Sequence, residues 1–135
     1  MPGRDLTDHD YEVLLQFRTE LRRFLAWSEE QAHAEGLTPA QHQLLLAIRG
    51  HPGPDAPTVG DVASALLLRH HSASGLVERT VLAGYVERRR DPIDHRTVRL
   101  SITRMGAAKL ARLSRRHLQE LARLRHGIFA AGRTR

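Results

Sequence analysis

Residues 88–96, Arg-Arg-Arg-Asp-Pro-Ile-Asp-His-Arg, set four arginines and a histidine around two aspartates. Guanidinium groups at that density suit one chemistry above others, the binding of phosphate or another polyanion through charge-assisted hydrogen bonds. An acid among the bases need not cancel that role. A carboxylate that holds a flexible guanidinium in one orientation reduces the entropy lost on binding. The plainer reading is a surface ion pair, worth about 0–1 kcal/mol.

The distribution of charge favours the polyanion. Net formal charge is +6. Residues 1–49 carry five Arg against eight acids, and residues 50–68 carry two acids with no Lys or Arg. Residues 69–104 carry eight Arg against four acids, and residues 105–135 eight Lys/Arg against one Glu. An acidic front and a basic back imply polyanion binding by the back half. They also imply pairing of the basic tail with an acidic element.

Nine histidines invite an enzymatic or metal reading. Asp8-His9-Asp10 and Asp94-His95 look like fragments of acid–base sites. Neither has the paired histidine spacing of a metal hydrolase, and there is no nucleophile elbow or phosphate-cradling glycine loop. Asp8 and Asp10 fit the start of a helix, where acids meet the dipole favourably. His33, His42 and His117 could converge as metal ligands, but scattered histidines read more simply as surface or interface polarity. No catalysis, resident metal or cofactor is expected. Without cysteine there is no disulfide or thiolate chemistry, which fits a reducing compartment. The N-terminus has no apolar leader and no run approaches spanning length, so a cytoplasmic protein with no membrane partner is expected.

The elements that must position these residues can be read from caps and periods. At 135 residues the chain suits one domain. A first helix is expected from about Asp8 to Ala34, capped by Thr7 with Asp10 and closed by Gly36. Tyr11, Leu14, Leu15, Leu21, Phe24, Leu25 and Ser28 fall on one stripe of it. "TPAQHQLLLAIRG" is a second helix, with Thr38 as cap, Pro39 in the first position and Gly50 at the end. "HPGPDAP" (51–57) must be loop. Thr58 with Asp61 opens a short helix to about Leu67, with Val59, Val62, Ala63 and Leu66 inward, and a further helix covers roughly 70–83, closed by Gly84. The period then changes from 3.6 to 2. "YVERR" and "TVRLSIT" are strands joined by a turn at "DPIDH", where Asp-Pro disfavours helix. Thr103 caps a last helix to about Gly127, with Leu110, Leu113, Leu118, Leu121 and Leu124 apolar, and residues 130–135 form a frayed tail.

The fold class is thus mainly α with a small β-hairpin wing: a winged helix-turn-helix with an extra helix at each end. Those outer helices have little in a small central core to pack against, so they are expected to pack on each other and on a second copy of the chain.

At this point the sequence resembles the MarR-type transcriptional regulators. The residues that carry the likeness are "LTPAQHQLLLAI", "TVGDVASAL", "GYVERRRDPIDHRTVRLSIT", Gly106 and Leu110, so the match runs from about Leu37 to Leu113. Their order and spacing are specific where any one fragment is weak. The resemblance implies a homodimer on a pseudo-palindromic operator in double-stranded DNA. Residues 8–36 and 104–127 would be dimerisation helices and 37–103 the DNA-binding core. Helix 70–83 would enter the major groove, and hairpin 85–102 would be the wing. The family's wing roles fall on Arg96, which would reach the minor groove, and Asp94, which would orient it. Physical chemistry agrees, because a narrow minor groove is strongly negative and favours the weakly hydrated guanidinium.

Within the recognition helix, Arg69, His70, His71, Ser72 and Ser74 sit at or near the N-terminal end, where phosphates and base edges are met first. Ala73, Leu76 and Val77 should face the core, leaving Ser74, Gly75, Glu78 and Arg79 outward. Thr80 stands where the family usually has a core leucine, which puts packing there in question. Arg88, Arg89 and Arg90 are candidate phosphate contacts, although alternation along a strand should split them between faces. A small-molecule effector is also implied by the resemblance, with Phe24, Trp27, His42 and Leu46 as candidate pocket walls. The same four residues suit core or dimer contacts equally. The expected function is a repressor released by an anionic or phenolic small molecule. The competing readings are an architectural DNA-binding protein without effector and a metal-sensing repressor. With no cysteine, thiol-based oxidant sensing is excluded.

Overall fold

In the computed structural model, most helix starts are set by side-chain caps, and the backbone of residues 3–131 and the side chains of 3–125 are described. Helix α1 (Asp8–Ala34), α2 (Pro39–Arg49) and α3 (Val59–Leu66) each open with a reciprocal capping box, Thr7 with Asp10, Thr38 with Gln41 and Thr58 with Asp61. In each, the threonine hydroxyl accepts from the third helical amide, and that residue's side chain accepts from the threonine amide. Helix α4 (His70–Leu82) begins at Arg69 with no side-chain cap. Helix α5 (Arg104–Ala131) begins at Thr103, whose hydroxyl accepts from the Gly106 amide and donates to the Gly84 carbonyl. Gly36 and Gly84 take φ of +77° and +88° just past α1 and α4, a region that side chains resist. Gly106 lies so close to the Tyr85 carbonyl that no Cβ would fit.

Strands β1 (Val86–Arg90) and β2 (Val98–Ile102) pair antiparallel, with Val86 opposite Ile102 and Arg90 opposite Val98. The Leu100 amide donates to the Pro57 carbonyl at 2.8 Å, which fastens the 51–57 loop to the hairpin.

One aliphatic core joins Leu44, Leu45 and Ile48 of α2, Val62 of α3, Leu76 and Val77 of α4, and Val86 and Leu100 of the hairpin. It also takes Ala32 of α1 and Leu110 and Leu113 of α5. The inner ends of the outer helices are therefore built into the core, contrary to the expectation that they have little there to pack on. Their outer ends differ. Leu14, Leu15 and Leu25 of α1 and Leu118 and Leu121 of α5 are exposed in the single chain. The expected pairing of the basic tail with an acid is present at the junction. Glu35 takes Arg112 at 2.8 Å and Arg116 at 2.5 Å, and the Arg112 hydrogen bond chiefly holds its carboxyl below the usual range.

Two expectations need adjusting. Helix α5 runs past Gly127 to Ala131, because one glycine costs a helix only about 1 kcal/mol and does not by itself end it. Of the frayed tail, Ala130 and Ala131 are helical, and residues 132–135 lie outside the described residues. Thr80 is fully buried without penalty, since its hydroxyl donates to the Leu76 carbonyl at 2.7 Å.

Candidate nucleic-acid interface

Helix α4 is anchored on one side and open on the other. Ala73, Leu76, Val77 and Thr80 are buried, while Arg69, His70, His71, Ser72, Ser74, Glu78 and Arg79 are exposed. The first-turn amides of this helix receive no side-chain acceptor, unlike those of α1, α2 and α3. Free amides at a positive helix end suit a phosphate oxygen. A Cβ at Gly75 would meet only the Arg79 guanidinium, at 3.3 Å. The turn before α4 is tight. Leu67 closes α3 with φ +56° and ψ +41°, the one left-handed non-glycine residue among those described, and its side chain is almost wholly exposed.

The wing divides into a fixed base and an open tip. At the base the register sets Arg89 directly opposite Arg99, a like-charge pair that needs acids nearby. Arg99 takes them: its Nε donates to Asp91 Oδ2 at 2.8 Å and its Nη1 to the Ala56 carbonyl at 2.9 Å. Arg89 leans weakly on Glu87 at 3.4 Å. The other Asp91 oxygen accepts the amides of Ile93 at 2.8 Å and Asp94 at 3.0 Å. The Asp94 amide, Arg99 and the Ile93 amide, in that order, pull the Asp91 pKa down to about 2. Asp91 and Arg99 are the residues that sequence reasoning missed as organisers. Arg99 falls on the polar phase of β2, so its charge gave no signal of this role.

At the tip, Asp94 works mainly on the backbone. Its Oδ1 accepts the Arg96 amide at 3.1 Å and its Oδ2 accepts the Thr97 hydroxyl at 3.1 Å. The Arg96 guanidinium stands 3.6 Å from Asp94, too far for a hydrogen bond, and its side chain is 96% exposed. The carboxylate thus fixes the turn from which Arg96 projects and grips the guanidinium only loosely. Arg88, Arg89 and Arg90 are all exposed despite strand alternation, since only the base of this two-stranded hairpin has a core beneath it.

Three of the four expected effector walls come together. Phe24, Trp27 and His42 gather around His117, with ring centroids 5.9, 4.8 and 4.9 Å from it, whereas Leu46 is half-exposed. His117 is held at both nitrogens, by the Leu113 carbonyl and the Ser28 hydroxyl, each at 2.7 Å. Nδ1 donates to the carbonyl, so the Nε2 lone pair faces the Ser28 hydroxyl. His33 is exposed, and no cluster of three candidate ligands occurs among the described residues. His42 is buried, and burial first and the neighbouring imidazole second lower its pKa. An open cleft of about 400 Å³ lies elsewhere, between the end of α2, the 51–57 loop, β2 and α5, bordered by Arg49, His51, Asp55, Ile102 and Ala107. None of the four expected wall residues lines it. No described helix is long and apolar enough to cross a membrane.

Residues 35–97 match the sequence model of the MarR family. Among solved structures, a MarR family transcription regulator matches with a TM-score of 0.75 and 27% identity, over 89% of this chain and 78% of its own. AbsC, a MarR family transcriptional regulator from Streptomyces coelicolor, shares the fold at TM-score 0.72 and 21% identity, over 90% of this chain and 81% of its own. A mutant MepR of S. aureus, bound to an oligodeoxyribonucleotide, shares it at 0.69 and 19%, over 89% and 83%. No curated protein matches the sequence.

Proposed function

We propose that the chain, whose residues 35–97 match the MarR family model and which shares the winged-helix fold of a MarR family transcription regulator, is a homodimeric repressor of a pseudo-palindromic operator. The observation that carries the reading is the free Arg96 guanidinium on a turn fixed by two aspartates. Around it, Arg88, Arg89 and Arg90 meet phosphates, and Arg69, His70, His71, Ser72, Ser74 and Arg79 present α4 to the major groove. The oligonucleotide bound to the mutant MepR supports DNA as the partner. Residues 8–36 and 104–127 assemble the dimer, through the leucines that the single chain leaves exposed on α1 and α5. The protein is cytoplasmic, is not an enzyme, and releases DNA when a small molecule binds.

Competition binding separates this reading from an architectural one. At matched salt, a duplex selected from random sequence should be preferred over bulk DNA by about a thousandfold or more. Equal affinity for all duplexes means an architectural protein. Chelator leaves operator binding unchanged, whereas a metal sensor would gain or lose it. Truncation is a poor test of assembly, because Leu110 and Leu113 are core. Leu118→Asp with Leu121→Asp should instead give a folded monomer by light scattering.

A further inference from the structure

The wing tip carries a second unpartnered side chain, and its type is unexpected there. Ile93 is 93% exposed, in the turn between Asp91 and Asp94. Its amide is held by Asp91 Oδ1 at 2.8 Å, so its backbone is as firmly placed as that of Arg96. Neither the core nor the loop contacts account for an isoleucine at this position, because Ile93 belongs to no packed cluster. Every residue that flanks the turn is polar, charged or proline.

The surroundings identify what covers it. Arg88, Arg89, Arg90 and Arg96 surround the tip with positive charge, so a polyanion is the occupant that the charge selects. A duplex groove offers more than charge, since its walls are deoxyribose and its floor is base edges, both with apolar surface. The minor groove, about 6 Å wide, admits a hairpin tip but no helix. Minor-groove binding proteins do bring Leu, Ile, Met or Phe side chains into that groove.

We propose that Ile93 is a DNA-contact residue that packs against the sugar walls of the minor groove beside Arg96, adding apolar affinity to the electrostatic grip of the arginine. The proposal rests on the DNA-binding reading above. It differs from it in one measurable respect, that Ile93 neutralises no phosphate.

The experiment titrates the selected duplex by fluorescence anisotropy at several salt concentrations, with wild type, Ile93→Ala, Ile93→Leu and Arg96→Ala. Ile93→Ala should weaken binding about tenfold, ~1.4 kcal/mol, at every salt concentration. Its log–log salt slope should equal that of wild type, because the slope counts ion release from phosphates. Ile93→Leu should restore most of the affinity, and melting temperatures should agree, since the side chain is solvated. The proposal is overturned if Ile93→Ala binds within twofold of wild type while Arg96→Ala is impaired. It is equally overturned if Ile93→Ala changes the slope as a lost phosphate contact would. If Arg96→Ala also binds as wild type, the wing reading itself has failed, and Ile93 with it.

Discussion

The base and the tip of the wing use the same residue types to opposite ends. At the base, Arg99 is only 27% exposed and is tied to Asp91, to the Ala56 carbonyl and, at 3.9 Å, to Asp55. At the tip, Arg96 is 96% exposed and 3.6 Å from its nearest acid. Both aspartates of the turn put their hydrogen bonds chiefly into the chain: three go to amides, one to the Thr97 hydroxyl and one to Arg99. The acids make the hairpin rigid up to its last residues, and the arginine beyond them keeps its donors free. A guanidinium already satisfied by carboxylate would have to break those bonds to reach DNA. A free one on a loose loop would lose more entropy.

Substitutions can break this contrast, beginning with the largest effect. Arg96→Ala should lower affinity for the selected duplex by about 10- to 100-fold, the range of a good base contact, with an unchanged melting temperature. Titration and thermal melting of the same preparation check both halves. Arg99→Ala should do the reverse. Melting should fall by a few degrees as the 51–57 loop and the turn loosen, and DNA affinity should fall only several-fold. Should Arg99→Ala prove thermally silent, the base does not anchor the wing.

The same distinction between held and presented groups applies to histidine. His42 is buried against His117 at the junction of α1, α2 and α5, where Ser28, Trp27 and the Leu113 carbonyl also converge. Its folded pKa lies below its ordinary value, chiefly through burial. The unfolded chain therefore binds more protons below about pH 6.5, so stability is full above that pH and declines as pH falls. The wing anchor should persist through this decline, since the Asp91 pKa lies at about 2 and its carboxylate stays ionised. Melting curves from pH 7.5 to 5 should show the loss in wild type and a flatter profile in His42→Gln. A wild-type profile that is flat over that range contradicts the burial argument. The smallest effect is expected of Asp94→Asn. An amide oxygen can still accept from the Arg96 amide, so binding should stay within about twofold of wild type. A loss as large as that of Arg96→Ala would mean that the carboxylate aims the guanidinium directly.

Much of this was legible in the sequence because it is local. Three capping boxes, the glycines after α1 and α4, and the change of period at Tyr85 each depend on residues within four positions of one another. The inward face of α4 followed for the same reason, and Ala73, Leu76 and Val77 are buried as expected. What could not be read depends on pairing across distance. Arg99 meets Ala56 only because β2 lies against the 51–57 loop. His117 meets Ser28 and His42 only where three helices meet. Phe24, Trp27 and His42 likewise converge on an imidazole that only the docking of α5 brings to them.

Hydroxyl-radical footprinting of the selected duplex with wild type and Arg96→Ala tests the central claim most directly, because it reads minor-groove access nucleotide by nucleotide. The account predicts that wild type protects two central half-sites and a flanking minor-groove segment on each side. Arg96→Ala, at concentrations that saturate the duplex, should keep the central protection and lose the flanks. Identical flanks in the two proteins would show that the wing tip does not enter the groove.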